Sequence, residues 1–178
     1  MTADRTLKGR RRALLSLAAV PCLPALGLPA LGLPALGVST FGLPGRAHAA
    51  GATVQAVGVK FDPMFVYIEP GDTVSWEGMA GHNVETIGAM TPEGGIELNT
   101  ELGENISATF DTVGIHVYKC TPHWGTRMGG VIVVGRPDDA SAIIESYTAA
   151  IETDRAGLLP AKGLLKKLSK DMEEKSLL

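Results

Sequence analysis

Gly114-Ile115-His116-Val117-Tyr118-Lys119-Cys120-Thr121-Pro122-His123-Trp124-Gly125-Thr126-Arg127-Met128-Gly129-Gly130-Val131-Ile132-Val133-Val134 reads as two short apolar runs, each opened by glycine, around a loop that begins at a cysteine. Short runs rich in Val, Ile and Tyr, bounded by Gly and Pro, predict strands. The pattern continues outward. Val54 to Val59 precedes Asp62-Pro63, and Met64 to Ile68 runs into Glu69-Pro70-Gly71-Asp72, a strong turn signal. Thr73-Val74-Ser75-Trp76 follows, and Ile106, Ala108 and Phe110 alternate with polar residues before Asp111. Short strands separated by such turns predict an all-β domain, an antiparallel sandwich or barrel.

Beyond Gly135 the apolar period changes from two residues to three and four. Asp138 or Asp139 can cap a helix in which Ile143, Ile144, Tyr147, Ala150 and Ile151 share a face. After Gly157 and Pro160, a second stretch puts Leu164, Leu165, Leu168 and Met172 on one side, with Lys162, Lys166, Lys167 and Lys170 around the other. The expected architecture is a β domain over 50–136 and a helical extension over 137–178. The last helix is expected either to pack on that domain or to trail as a tail.

Residues 1–49 read as a leader, not as part of the fold. Lys8, Arg10, Arg11 and Arg12 precede a long apolar stretch that ends in Ala47-His48-Ala49, a small-x-small pattern that places cleavage after Ala49. Arg11-Arg12 also fits a twin-arginine signal. Leu-Pro-Ala-Leu-Gly occurs in tandem at 23–27, 28–32 and 33–37, and a proline every five residues makes a poor spanning helix. Cys22, preceded by Pro21, fits a lipid anchor badly. With the leader removed, 10 basic and 18 acidic side chains leave a net charge of −8. Such a chain is a poor partner for nucleic acid. No apolar run remains for stable membrane insertion.

Cleavage also leaves Cys120 as the lone cysteine of an exported chain, where free thiols oxidise. A buried inert thiol, a nucleophile and a metal thiolate all fit a lone cysteine. Its neighbours narrow the choice. His123 and Met128 lie within the next eight residues, and His82 sits upstream in Gly81-His82-Asn83-Val84-Glu85-Thr86. Two imidazoles, a thiolate and a thioether are the donor set of a blue-copper electron-transfer site. Cysteine catalysis would leave Met128 without a role, and structural zinc sites favour several cysteines.

The chain resembles the cupredoxins, and among them the pseudoazurins, over residues 53–160. The resemblance rests on Phe61-Asp62-Pro63, Pro70-Gly71-Asp72-Thr73-Val74, Gly81 to Thr86, Met90-Thr91-Pro92-Glu93-Gly94, Lys119 to His123, and Met128. It implies a Greek-key β-sandwich or barrel with C-terminal α-helices, and one type 1 copper ion held by His82, Cys120, His123 and Met128. It also implies that Asn83 ties the upstream ligand segment to the cysteine loop. The function implied is a periplasmic electron carrier, not an enzyme, that serves redox proteins such as a cytochrome or a copper nitrite reductase. A copper module for storage, delivery or sensing is the alternative. Three positions depart from the resemblance. His116 stands where Tyr is usual and Tyr118 where an aliphatic residue is usual, and Trp124-Gly125-Thr126-Arg127 replaces Tyr-Gly-Met-Gly. His116 shares strand parity with Cys120 and is expected to be a structural replacement for a buried Tyr before it is a fifth ligand. The apolar rim expected near the metal is Pro122 and Trp124, with Met79 or Met90.

Overall fold

The computed structural model describes residues 51–178. The leader, its cleavage point, the twin-arginine motif, the tandem repeats and Cys22 lie outside the described residues.

Eight strands form two four-stranded sheets that face each other. The first has the order β2-β1-β4-β6, built from Lys60–Asp62, Ala52–Val57, Asp72–Glu77 and Ile106–Phe110. The second has the order β3-β8-β7-β5, built from Phe65–Ile68, Gly129–Val134, Gly114–Lys119 and Glu85–Thr86. The predicted sandwich is present, but its pairing is mixed. β1 runs parallel to β4 and β3 parallel to β8, while the other pairs are antiparallel. Alternating hydrophobicity reports which face of a strand is buried and carries no signal for its neighbour's direction. The first predicted strand also ends early. Val57 pairs with Lys60 across a two-residue turn at Gly58, whose φ of 59° favours glycine. Val59 therefore belongs to the turn.

β7 and β8 are buried along their length, because each face meets a different core. His116, Tyr118 and Cys120 point between the sheets, where Trp76, Phe61 and Phe110 lie. Ile115, Val117, Val131 and Val133 point to the opposite side and join a second core made with the helices. Burial on both faces explains why Val131 to Val134 is continuously apolar. Gly130 belongs to this arrangement, because a Cβ there would collide with the Tyr118 hydroxyl.

α1 spans Ala140–Thr153, and its N-cap is Asp139, whose carboxylate accepts from Ala142 N at 2.9 Å. A four-residue α2, Arg155–Leu158, and then α3, Ala161–Glu174, complete the chain. The sequence pattern gave no warning of α2. α3 is not a tail. Leu164, Leu165, Leu168 and Met172 are all buried in the second core. Fully burying one such side chain is worth about 1.5–3 kcal/mol, enough to hold a helix that would be marginal alone. On its polar side the Tyr67 hydroxyl donates to Asp171 at 2.5 Å, and Lys175 pairs with the same carboxylate at 2.7 Å. No helix among the described residues is long and apolar enough to cross a membrane.

Candidate metal centre

The centre forms where β7 gives way to its loop. Cys120 keeps an extended backbone, so its thiol stays on the inter-sheet face and is fully buried. Thr121–Thr126 then winds as a 3-10 turn, and Pro122 enters it without loss because the first turn needs no N–H there. The turn stops at Arg127, at φ 68°, in the left-handed region. A residue with a Cβ gives up about 1–2 kcal/mol in that conformation. The backbone offsets the strain with a dense set of bonds. Arg127 N donates to Trp124 O at 2.8 Å, Met128 N to His123 O at 3.2 Å and Cys120 N to Met128 O at 2.9 Å.

The upstream donor is placed independently. His82 follows a turn at Gly81, φ 78°, and its amide donates to Met79 O at 2.8 Å. On its other side, Gly103 N donates to His82 O at 2.9 Å. Asn83 bridges the two segments as the resemblance implied. Its Oδ1 accepts from Thr121 N at 2.8 Å, and its Nδ2 donates to Thr121 Oγ1 at 3.2 Å. That hydroxyl donates in turn to Glu85 at 2.5 Å, and Glu85 pairs with Lys119 at 3.1 Å. The Thr121 bond and Lys119 hold the Glu85 carboxyl below its ordinary range, against the opposing effect of burial. Glu85 and Thr121 escaped the sequence reading, although a period of two already puts Asn83 and Glu85 on one side of their segment.

Three donor atoms converge. Cys120 Sγ lies 3.6 Å from His82 Nδ1 and 3.4 Å from His123 Nδ1, and the donor atoms all lie within 4.8 Å of one another. One S–H can donate to only one of these nitrogens. Metal bonds of about 2.0 Å to nitrogen and 2.3 Å to sulfur, meeting near 110–120°, span about 3.6 Å between donors. The two sulfur–nitrogen spacings therefore match those around a shared ion. Burial, and then the neighbouring His123, lowers the pKa of His82, favouring the neutral imidazole that a metal requires. Met128 is fully buried in the same inter-sheet core as Cys120.

His116 is outside this group. Its Nε2–H donates to Thr112 O at 2.8 Å, and its ring stands edge-on to Phe110 with centroids 5.2 Å apart. Gly95 makes room for it, since a Cβ there would come within 3.0 Å of Cε1. These contacts are those of a side chain packed into the fold, apart from the three converging donors. Burial lowers its pKa, with the Thr112 bond in partial opposition. The unfolded chain thus takes up this proton more readily than the folded one, and stability should fall as pH drops below about 6.5. The slope for one such histidine is at most about 1.4 kcal/mol per pH unit. Urea melts between pH 7.5 and 5 should show it, and His116→Gln, which keeps a donor but cannot titrate, should flatten the slope. Equal slopes in both proteins would rule the histidine out as the source.

The expected rim needs correction. Met79 and Met90 are buried, at 1% and 0% exposure, because both belong to cores. Trp124 is only half-exposed. Pro122 is exposed, and Leu102, at 62%, stands next to the glycine that bonds His82.

Comparison with known proteins agrees with this geometry. Residues 49–135 match the model of copper-binding proteins of the plastocyanin/azurin family. The chain is 39% identical over 80 residues to a pseudoazurin of Methylorubrum extorquens, covering 44% of this chain and 54% of that protein. It is 38% identical over 86 residues to a plastocyanin of Scenedesmus fuscus, covering 42% of this chain and 85% of the relative. The crystal structure of pseudoazurin from Methylobacterium extorquens superposes with a TM-score of 0.54 at 26% identity, over 66% of this chain and 98% of that one. The chain spans about half the length of two curated pseudoazurins it matches, those of Methylorubrum extorquens and Paracoccus pantotrophus. A two-sheet sandwich, a buried cysteine close to two histidines and these matches agree: the chain belongs to the cupredoxins, the plastocyanin/azurin family of copper-binding proteins.

Proposed function

We propose that His82, Cys120, His123 and Met128 hold one copper ion and that the protein carries single electrons between redox partners. The observation that carries this reading is the convergence of the thiol and both imidazoles within 4.8 Å, with Cys120 and His123 on a loop whose ends are bonded to each other. Bound there, copper supplies a one-electron couple between Cu(I) and Cu(II). The chain's own part is to fix the donors. The buried thiol and thioether are soft donors that favour Cu(I), while imidazole suits both states. Asn83 and Thr121 hold the two ligand segments together. Four protein donors leave no position for a substrate, which supports a carrier over an enzyme. Residues 50–178 contain no histidine- or methionine-rich tract, which weighs against storage or delivery.

The leader motif supports a periplasmic location, with the mature chain free of the membrane. For partners, charge supports a basic or neutral redox protein, such as a basic cytochrome, over the acidic face of a reductase. Residues 50–136 carry four basic and ten acidic side chains, a net of −6.

Copper loading tests the centre itself. Adding Cu(II) to the mature protein should develop intense visible absorption that saturates at one ion per chain, with the narrow paramagnetic-resonance splitting of a thiolate-bound site. A colourless complex at saturation would overturn the assignment.

A further inference from the structure

The loop carrying His123 and Met128 is attached to the C-terminal helices at one point. Trp124, next to His123, is half-buried and donates from Nε1 to the carbonyl of Gly157 at 2.7 Å. That carbonyl belongs to α2, a single helical turn of four residues. Such terminal carbonyls lack partners within their own helix. α2 is itself fixed, because Asp154 accepts from Gly157 N at 3.0 Å. A Cβ at Gly157 would be driven into that carboxylate. The indole ring is seated as firmly as its N–H. A Cβ at Gly129 would lie 2.9 Å from Trp124 Cζ3 and 3.3 Å from Leu164 Cδ2 of α3, so the ring covers Gly129 beside α3. Trp124 packs with the helix-facing core and not with the core that holds Cys120.

We infer that Trp124 is a positioning residue through which α2 and α3 hold the ligand loop, which makes the helical extension part of the frame of the metal centre. Within the loop the influence is direct. The Trp124 carbonyl accepts from Arg127 N, and the adjacent His123 carbonyl accepts from Met128 N. A displaced Trp124 therefore disturbs the turn that sets both the His123 and the Met128 backbone. α2 is anchored in turn by Leu158, which packs on the helix-facing core.

The inference rests on the copper reading only for its spectroscopic arm, because loop order can be read without metal. In the apoprotein, Cys120 is fully buried and reacts with a thiol reagent only when the loop opens. Trp124→Phe keeps the ring and removes the N–H. It should raise the labelling rate of apo Cys120 about fivefold, the factor equivalent to one net hydrogen bond of about 1 kcal/mol at 1.36 kcal/mol per tenfold. Leu158→Ala loosens α2 without touching the loop and should raise the rate similarly. Because both act through one contact, the double variant should exceed neither single variant by much. In the Cu(II) protein, Trp124→Phe should shift the balance of the charge-transfer bands, while thermal melts show the fold intact. Additive labelling effects, or an unchanged rate and spectrum in folded Trp124→Phe, would overturn the inference. A folded protein that never colours with Cu(II) would defeat the copper reading and leave the labelling result standing.

Discussion

Cys120→Ser should leave a folded protein that no longer colours with Cu(II), a complete loss and not a graded one. The colour of such a site comes from charge transfer out of a thiolate, and no other residue in 50–178 can supply one. A cysteine thiol ionises near pH 8.5 and still lower beside a metal. A hydroxyl is far less acidic than a thiol and resists ionisation much further. Serine therefore stays a neutral oxygen donor at neutral pH, hard where Cu(I) calls for soft. The fold should survive. The buried hydroxyl has the nitrogens of His82 and His123 within reach, so the cost stays within the roughly 1–3 kcal/mol of a poorly satisfied polar group. Absorption spectra with a thermal melt on the same sample separate the outcomes. Intense colour in a folded Ser variant would mean that Cys120 is not the ligand.

Electron transfer to a basic cytochrome should slow at least tenfold as ionic strength rises from 10 mM to 0.5 M. The screening length falls from about 30 Å to a few ångströms over that range, and steering between opposite charges is worth about 10- to 1,000-fold in association rate. The net charge of −6 over residues 50–136 sets the long-range sign. The local pattern supports the same sign. Glu101 and Glu104 are exposed on either side of Leu102 and Gly103, the segment that bonds the His82 backbone. Lys119 is engaged by Glu85 and adds little free positive charge. Arg127 is the competing feature, exposed on the ligand loop itself. If Arg127 governs docking, transfer to an acidic partner will be fastest at low salt, and the basic-partner proposal fails. Stopped-flow rates against one basic and one acidic partner, each over the same salt series, decide between them. Glu101→Gln with Glu104→Gln should weaken the salt dependence toward the basic partner.

The longer strands and the candidate donors stand out in the sequence because both are written in local pattern. Cys120, His123 and Met128 lie within one loop, and the strand that leads to them alternates cleanly between two cores. His82 was legible only in company, since a single histidine carries no signal of its own. What escaped depends on contacts between distant segments. The parallel pairing of β1 with β4 has no local signature, and β2 and β5 are too short to show a period. Trp124 looked like an exposed apolar rim residue because nothing nearby indicates that Gly157, 33 residues on, offers it a carbonyl. Met79 and Met90 looked like rim residues for the same reason: exposure is decided by what packs above them. The tight backbone turn at Arg127 was the opposite case, a position where the residue type argued against the conformation that the surrounding bonds impose.

The two-sided burial of β7 and β8 also sets where the molecule opens last. Ile115 to Tyr118 and Val131 to Val134 are paired strand residues with side-chain cover on both faces, so exchange of their hydrogen-bonded amides with solvent should require the largest openings the protein undergoes. The ligand loop hangs between the ends of these two strands. Fraying of β1 or β2 can therefore come and go without prising Cys120 and Met128 apart, and a captured ion would outlast such fluctuations of its host.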